Sequence, residues 1–268
     1  MRRVSMQFCR YEKKDHVVRI TITRPEVMNA LHAHASREMG GAFDDFANDD
    51  DAWVAVLTGE GDRAFSAGND LKYTAEMSRL SREERPDLSM PAGGFGGITN
   101  RFDLFKPVIA RVNGFALGGG LEMALACDII VAADHAEVGL PEPRRGLIAG
   151  ALGVHRLPRH LPLKQAMGYL LTGRHIPAQR AYEMGLVNEV VPLAKLDDAV
   201  DAWVADIVRC APLSVRATKE AAMRGLLLPL PEAATARYEW EMARRTSSDA
   251  VEGPRAFAEK RAPNWTGK

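Results

Sequence analysis

Cysteine is scarce in this 268-residue chain: Cys9, Cys127 and Cys210 occur, and no two of them are spaced like metal ligands or a disulfide framework. An odd, sparse set suits a reducing compartment, so the expected location is the cytoplasm. Long hydrophobic runs are missing as well. No apolar stretch approaches the roughly 20 residues that cross a bilayer, and the basic N-terminal segment lacks the apolar centre of a secretory signal. Nor is either sign of charge in excess. Lysine plus arginine (35) equals aspartate plus glutamate (35), which argues against the basic footprint of a nucleic-acid-binding protein. Three signatures are also absent. No Gly-Lys-Ser/Thr closes a phosphate loop, no GxGxxG marks a dinucleotide site, and no GxSxG elbow makes Ser66 a nucleophile. His135, His155, His160 and His175 show no pairing with that serine.

Hydrophobic residues supply 46% of the chain, enough for a sizeable core. Residues 17–23 (VVRITIT) read as a strand that Arg24-Pro25 stops. Helical spacing over 33–48 puts Met39, Phe43 and Phe46 on one face. Three aspartates at 49–51 read as a solvated turn. The apolar run 53–58 (WVAVLT) suits a buried strand, as do 106–112 (KPVIARV), 129–132 and 138–140. A short helix is expected over 121–126. Residues 76–97, polar and then glycine-rich, read as a mobile excursion. Beyond residue 160 strand signals nearly vanish, and helical spacing dominates at 163–172, 178–184, 196–210, 213–228 and 231–245. Strands alternating with helices predict an α/β fold with mainly parallel pairing, here as a core over 1–200 followed by a helical region over 201–268.

Four segments carry candidate chemistry. In Asn113-Gly-Phe-Ala-Leu-Gly-Gly-Gly-Leu-Glu122, three glycines follow a strand and open a helix. They let the backbone come close to a ligand, and the helix start offers unpaired N–H groups to an anion or oxyanion. They also suit a tight turn with close packing. Glu122 sits in the first turn of an otherwise apolar helix, where it favours the helix dipole; burial there demands a partner or a function. Glu142 is held between Pro141 and Pro143, which stiffens its backbone against helix; it suits a rigidly presented catalytic group or a surface partner for Arg144 or Arg145. Two carboxylates in different environments suit acid and base roles. Finally, Ala64-Phe-Ser-Ala-Gly-Asn-Asp70-Leu-Lys72 follows the 53–58 strand. Gly68 allows an unusual turn that aims a second N–H donor, and Asp70 is also a plain helix cap.

Together these segments resemble the crotonase, or enoyl-CoA hydratase/isomerase, superfamily. The resemblance runs from Arg24-Pro-Glu-Val-Met-Asn-Ala-Leu31 through Cys127-Asp-Ile-Ile, Leu140-Pro-Glu-Pro, Leu171-Thr-Gly and Gly185-Leu-Val-Asn-Glu-Val-Val to Ala256-Phe-Ala-Glu-Lys-Arg261. It implies a spiral core of ββα repeats with a C-terminal helical region for trimerisation and closure of the coenzyme A site. It implies an oxyanion hole from the backbone N–H groups of Asn69 and Gly119, with Glu122 and Glu142 as the catalytic pair and Gly150 helping to hold the water. The side chain of Asn69 departs from the small residue common in relatives and is expected to face the acyl group. Glu26, Met28, Ala67, Asp70, Leu71 and Lys72 correspond to coenzyme A and substrate contacts, and Phe257 and Lys260 to positions that reach a neighbouring subunit's coenzyme A. The implied partners are an acyl-CoA thioester and further copies of the chain, as a trimer or a dimer of trimers, with no metal or separate cofactor. Retention of both glutamates favours hydration of a 2-enoyl-CoA or the reverse dehydration. The alternatives are a carnitinyl-CoA-type dehydratase, which Phe65-Ser-Ala-Gly-Asn-Asp-Leu-Lys72 resembles, or an isomerase. An RNA-binding relative without catalysis is disfavoured by the balanced charge.

Overall fold

The computed structural model describes every residue except Met1 and Arg82. Three antiparallel strands open the chain: β1 (Arg2–Ser5), β2 (Cys9–Lys14) and β3 (Val17–Ile22). Helix α1 (Ala33–Asn48) follows. From there one unit recurs three times, a longer strand, a three-residue strand and a helix. The first is β4 (Val54–Gly59), β5 (Ala64–Ser66) and α2 (Leu71–Met77). The second is β6 (Val108–Val112), β7 (Phe115–Leu117) and α3 (Gly119–Ala124). The third is β8 (Ile129–Ala133), β9 (Glu137–Gly139) and α4 (Gly153–His160). Then come α5 (Leu163–Thr172), β10 (Ile176–Pro177), α6 (Ala178–Glu183) and β11 (Glu189–Val191). Helices α7 (Leu196–Val208), α8 (Pro212–Gly225), α9 (Leu230–Thr235), α10 (Glu239–Arg245) and α11 (Ser248–Ala258) complete the chain.

Within the three units the longer strands pair with one another and the three-residue strands with one another. The result is two sheets, β1-β2-β3-β4-β6-β8-β11 and β10-β9-β7-β5, with every pairing from β3 through β11 in the first sheet parallel. Because each unit spans both sheets, the chain winds as a spiral of ββα units. All six residues of β4 are buried, as a strand covered on both faces requires. Met39, Phe43 and Phe46 of α1 are fully buried, the helical stripe that their spacing predicts.

Several local expectations change. The aspartates at 49–51 are not merely solvated: Lys13 binds both Asp49 (2.8 Å) and Asp51 (3.0 Å). Buried Lys106 donates to the carbonyls of Phe46 and Asp49, so the end of α1 is satisfied by a lysine from just before β6. Burial lowers that ammonium to about 8. The region 76–97 is not one mobile excursion, since Gly93 to Thr99 are buried and turn through a 3-10 helix at Phe95–Gly97. The expected helix over 231–245 is two helices, and the fully buried Glu220 of α8 accepts the Trp240 N–H at the start of the second (2.7 Å). Helices α2, α4 and α11 and strands β1, β2, β5, β7, β10 and β11 have no counterpart in the periodicity reading. Helix α7 runs across residue 200, and no helix among the described residues is long and apolar enough to cross a membrane.

Candidate active site

The site lies where three short parallel strands end side by side. β5 pairs with β7 and β7 with β9, and ligands of layered α/β folds gather at the carboxyl ends of such strands. β5 runs out into Ala67-Gly68-Asn69, β7 into Gly118-Gly119 and β9 into the turn that carries Glu142. Gly118 donates to the Gly139 carbonyl (2.8 Å), which holds the second and third of these ends together.

Two backbone N–H groups are left free here. Leu31 makes a parallel bridge to Asn69: its N–H donates to Gly68 O (2.8 Å) and its carbonyl accepts from Asp70 N–H (2.9 Å). In a parallel bridge the central residue keeps its own N–H on the opposite edge. The Asn69 N–H therefore faces away from Leu31. Gly119 is the first residue of α3, so its N–H has no partner within the helix. Gly68 brings the two turns together, because a Cβ on it would stand 2.7 Å from Gly119 N. The Asn69 side-chain amide donates to Thr74 Oγ1 (3.2 Å) at the surface.

Both carboxylates flank this pair. Glu122 is 3% exposed, and its Oε1 accepts the Gly153 N–H at 2.7 Å. Burial pushes its carboxyl up to about 7; the Gly153 and Ala151 N–H groups and Arg156 pull it down, while the Glu142 charge pushes it further up. Contrary to the expectation from its flanking prolines, Glu142 opens a 3-10 helix over Glu142–Arg145: Pro143 falls in the first turn, where its missing N–H costs nothing. No ion pair binds it to Arg144, whose guanidinium goes to the Thr172 carbonyl. Burial raises Glu142 as well, against the opposing charge of Arg145. Its Oε1 lies where a Cβ on Gly118 would be (2.8 Å), and its Oε2 is buried without a partner.

The raised value of Glu122 has a measurable consequence. A carboxyl raised from 4.5 to about 7 on folding contributes stability that is complete below the unfolded value and lost as pH rises through 7. At pH 8 the ionised native state is penalised by about 3 kcal/mol. Thermal melts of Glu122→Gln against wild type should therefore show a difference that moves in the variant's favour between pH 5 and pH 8. A difference independent of pH would contradict the raised carboxyl.

The remaining expected contacts form a rim. Ala67 N–H bonds the Met28 carbonyl (2.9 Å), and Glu26 lies exposed in the same turn. Asp70 caps α2 through Tyr73 N–H and pairs with Arg24 at 3.1 Å, so its side chain is already engaged. Leu71 and Lys72 are exposed on the first turn of α2. Asn29, 1% exposed, joins this rim to the sheet by donating to the carbonyls of Glu60 and Ala64 and accepting from Arg24 N–H. Gly150 is exposed, with the Ile148 carbonyl oxygen 3.8 Å from where its Cβ would stand, whereas Gly153 holds Glu122. Phe257 (86% exposed) and Lys260 sit at and just past the end of α11. Gly153 and Phe95, whose ring edge stands where a Cβ of Gly119 would be, were not singled out by sequence, and Gly118 only as one of the glycine triplet. Only the glycines beside Glu122 and Asn69 gave a partial signal. Among the described residues no group of His, Cys, Asp and Glu is arranged to hold a metal.

A ββα spiral whose strand ends present two free N–H groups beside one buried and one half-buried carboxylate is a crotonase-type enzyme. The chain belongs to the enoyl-CoA hydratase/isomerase family, whose model matches residues 12–268. It is 43% identical over 258 residues to the carnitinyl-CoA dehydratase of Citrobacter koseri, covering 94% of this chain and 95% of that one. The carnitinyl-CoA dehydratase of Proteus mirabilis is 42% identical over the same shares. An enoyl-CoA hydratase from Mycobacterium tuberculosis superposes with a TM-score of 0.87 at 40% identity, over 97% of this chain and 99% of that one.

Proposed function

We propose that this protein interconverts a 2-enoyl-CoA and a 3-hydroxyacyl-CoA. The observation that carries the reading is the pair of raised carboxyls, fully buried Glu122 and half-buried Glu142, beside the free N–H groups of Asn69 and Gly119. The thioester carbonyl sits between those donors, which makes the β-carbon electrophilic and stabilises the enolate-like transition state. Ionised Glu122 takes a proton from water as its oxygen bonds to the β-carbon, and Glu142 delivers a proton to the α-carbon. Water addition changes no net oxidation state, so the reaction needs no redox cofactor, and coenzyme A arrives as part of the substrate. Glu26, Met28, Ala67, Leu71 and Lys72 form the rim that holds it, with Asp70 fixing that rim from behind and Gly150 at the mouth of the water site.

The reading includes assembly as a trimer or a dimer of trimers. Leu226, Leu227 and Leu230 are 81%, 77% and 82% exposed at the helical end, apolar surface that an isolated soluble chain seldom leaves open. Phe257 and Lys260 then reach a neighbour's coenzyme A. The cytoplasm, where acyl-CoA and reduced cysteines coexist, fits this chemistry.

The test follows the ultraviolet band of the conjugated enoyl thioester with 2-enoyl-CoAs of increasing length and, separately, with carnitinyl-CoA. Loss of the band with 2-enoyl-CoAs is expected. Turnover of carnitinyl-CoA alone would move the assignment to the dehydratase named for the relatives above. No change with any of them, despite measurable acyl-CoA binding, would overturn hydration and dehydration together and leave isomerisation.

A further inference from the structure

The glycine-rich segment at 93–99 and helix α4 meet at one buried guanidinium that the reaction above does not use. α4 begins with Gly153, whose N–H grips Glu122 Oε1. One turn on, Arg156 Nη2 donates to the carbonyl of the fully buried Thr99 at 2.8 Å, and its Nη1 is buried with no partner. The Phe102 ring stands 5.9 Å from the guanidinium carbon. Thr99 is bonded back to Phe95 through Thr99 N–H and Phe95 O, and Asn100 N–H closes the turn on Gly93 O. Phe95 in turn rests its ring edge against Gly119. One side chain thus links the helix that holds the base to the clasp that covers the oxyanion turn.

We propose that Arg156 is a positioning residue for the reaction: its guanidinium fixes the 93–99 clasp against Gly119 and sets a positive charge beside Glu122. The inference rests on the reading of Glu122 as the base. The charged groups facing Glu122 are Glu142, from the turn after β9, and Arg156, from α4; the clasp, β5 and β7 carry no titratable side chain. Arg156 therefore opposes both burial and Glu142, and favours ionised Glu122.

The experiment compares pH–rate profiles of wild type, Arg156→Gln, Arg156→Lys and Glu122→Gln, with amide exchange read over residues 93–100. Arg156→Gln loses the charge, so the acid limb of kcat should move to higher pH by on the order of one unit, with KM within a few-fold. Arg156→Lys keeps the charge but not the planar fork; its limb should stay near that of wild type while the clasp exchanges faster and kcat falls. If the wild-type limb persists in the residual activity of Glu122→Gln, another group is the base, and the functional reading fails. If that limb disappears in Glu122→Gln but is unmoved in Arg156→Gln, the role of Arg156 is overturned. It is equally overturned if neither arginine variant folds, since the guanidinium would then be a core ion, or if clasp exchange is unchanged in Arg156→Lys.

Discussion

Glu142→Gln is expected to lower kcat by roughly 100- to 10,000-fold, the range that one positioned acid or base supplies, while acyl-CoA binding stays within a few-fold. Glutamine keeps the size and shape of the side chain beside Gly118, so the turn at Glu142–Arg145 is preserved. What disappears is the acidic proton on a carboxyl whose Oε2 has no protein partner. A buried acceptor left open is costly unless a bound molecule uses it, and a substrate α-carbon needs a proton at that place. Glu122→Gln should show a loss of similar size for a different reason: it retains an oxygen for the Gly153 N–H (2.7 Å) but cannot take a proton from water. The two losses should not multiply in the double variant, because acid and base act as one unit. Steady-state kinetics with calorimetric binding of an acyl-CoA measures all three. Activity within tenfold of wild type in Glu142→Gln would remove that residue from the chemistry.

The contrast between the carboxylates also explains how much of the site could be read from sequence. Glu122 and Glu142 stand out because each occupies an unusual local setting, one in an apolar helix and one between prolines. The glycine triplet stands out because no ordinary helix start needs three. The buried strands are legible for a simple reason: β4 is buried at every position and β6 at all but Arg111, so both are mostly apolar. The strands β5, β7 and β9 are three residues each, too brief for an alternating pattern; only β9 was anticipated, at 138–140, although the three together bring the functional turns side by side. Gly153 was hidden because its role depends on α4 folding back onto α3, a contact between residues 31 apart. The 93–99 clasp was misread because glycine signals mobility in a sequence. Here it permits close packing: a Cβ on Gly96 would collide with Met123, and one on Gly97 with the backbone of Gly40.

That lesson applies most sharply at Gly68. Its φ is +85°, and a Cβ there would stand 2.5 Å from the Leu117 carbonyl oxygen and 2.7 Å from the Gly119 nitrogen. Both are backbone atoms that no rotamer change can move aside. Gly68→Ala must therefore push β5 and β7 apart at the point where the Asn69 and Gly119 donors converge. Misaiming one donor of an oxyanion hole costs on the order of 100- to 1000-fold in rate, and the loss should fall on kcat, because the rim that holds coenzyme A is built on Met28 and Ala67 rather than on this contact. Strain from a positive φ destabilises the fold as well, by about 1 kcal/mol. Gly61 separates the two effects. It has nearly the same φ, +83°, but the nearest atom to its absent Cβ is a proline carbon at 4.0 Å. Gly61→Ala should share the loss in melting temperature and keep full turnover. Gly68→Ala should melt lower still and be nearly inactive while remaining folded by circular dichroism. Equal activity in the two variants would mean that the Gly119 N–H does not stabilise the transition state, and the oxyanion hole would have to be sought elsewhere in the chain.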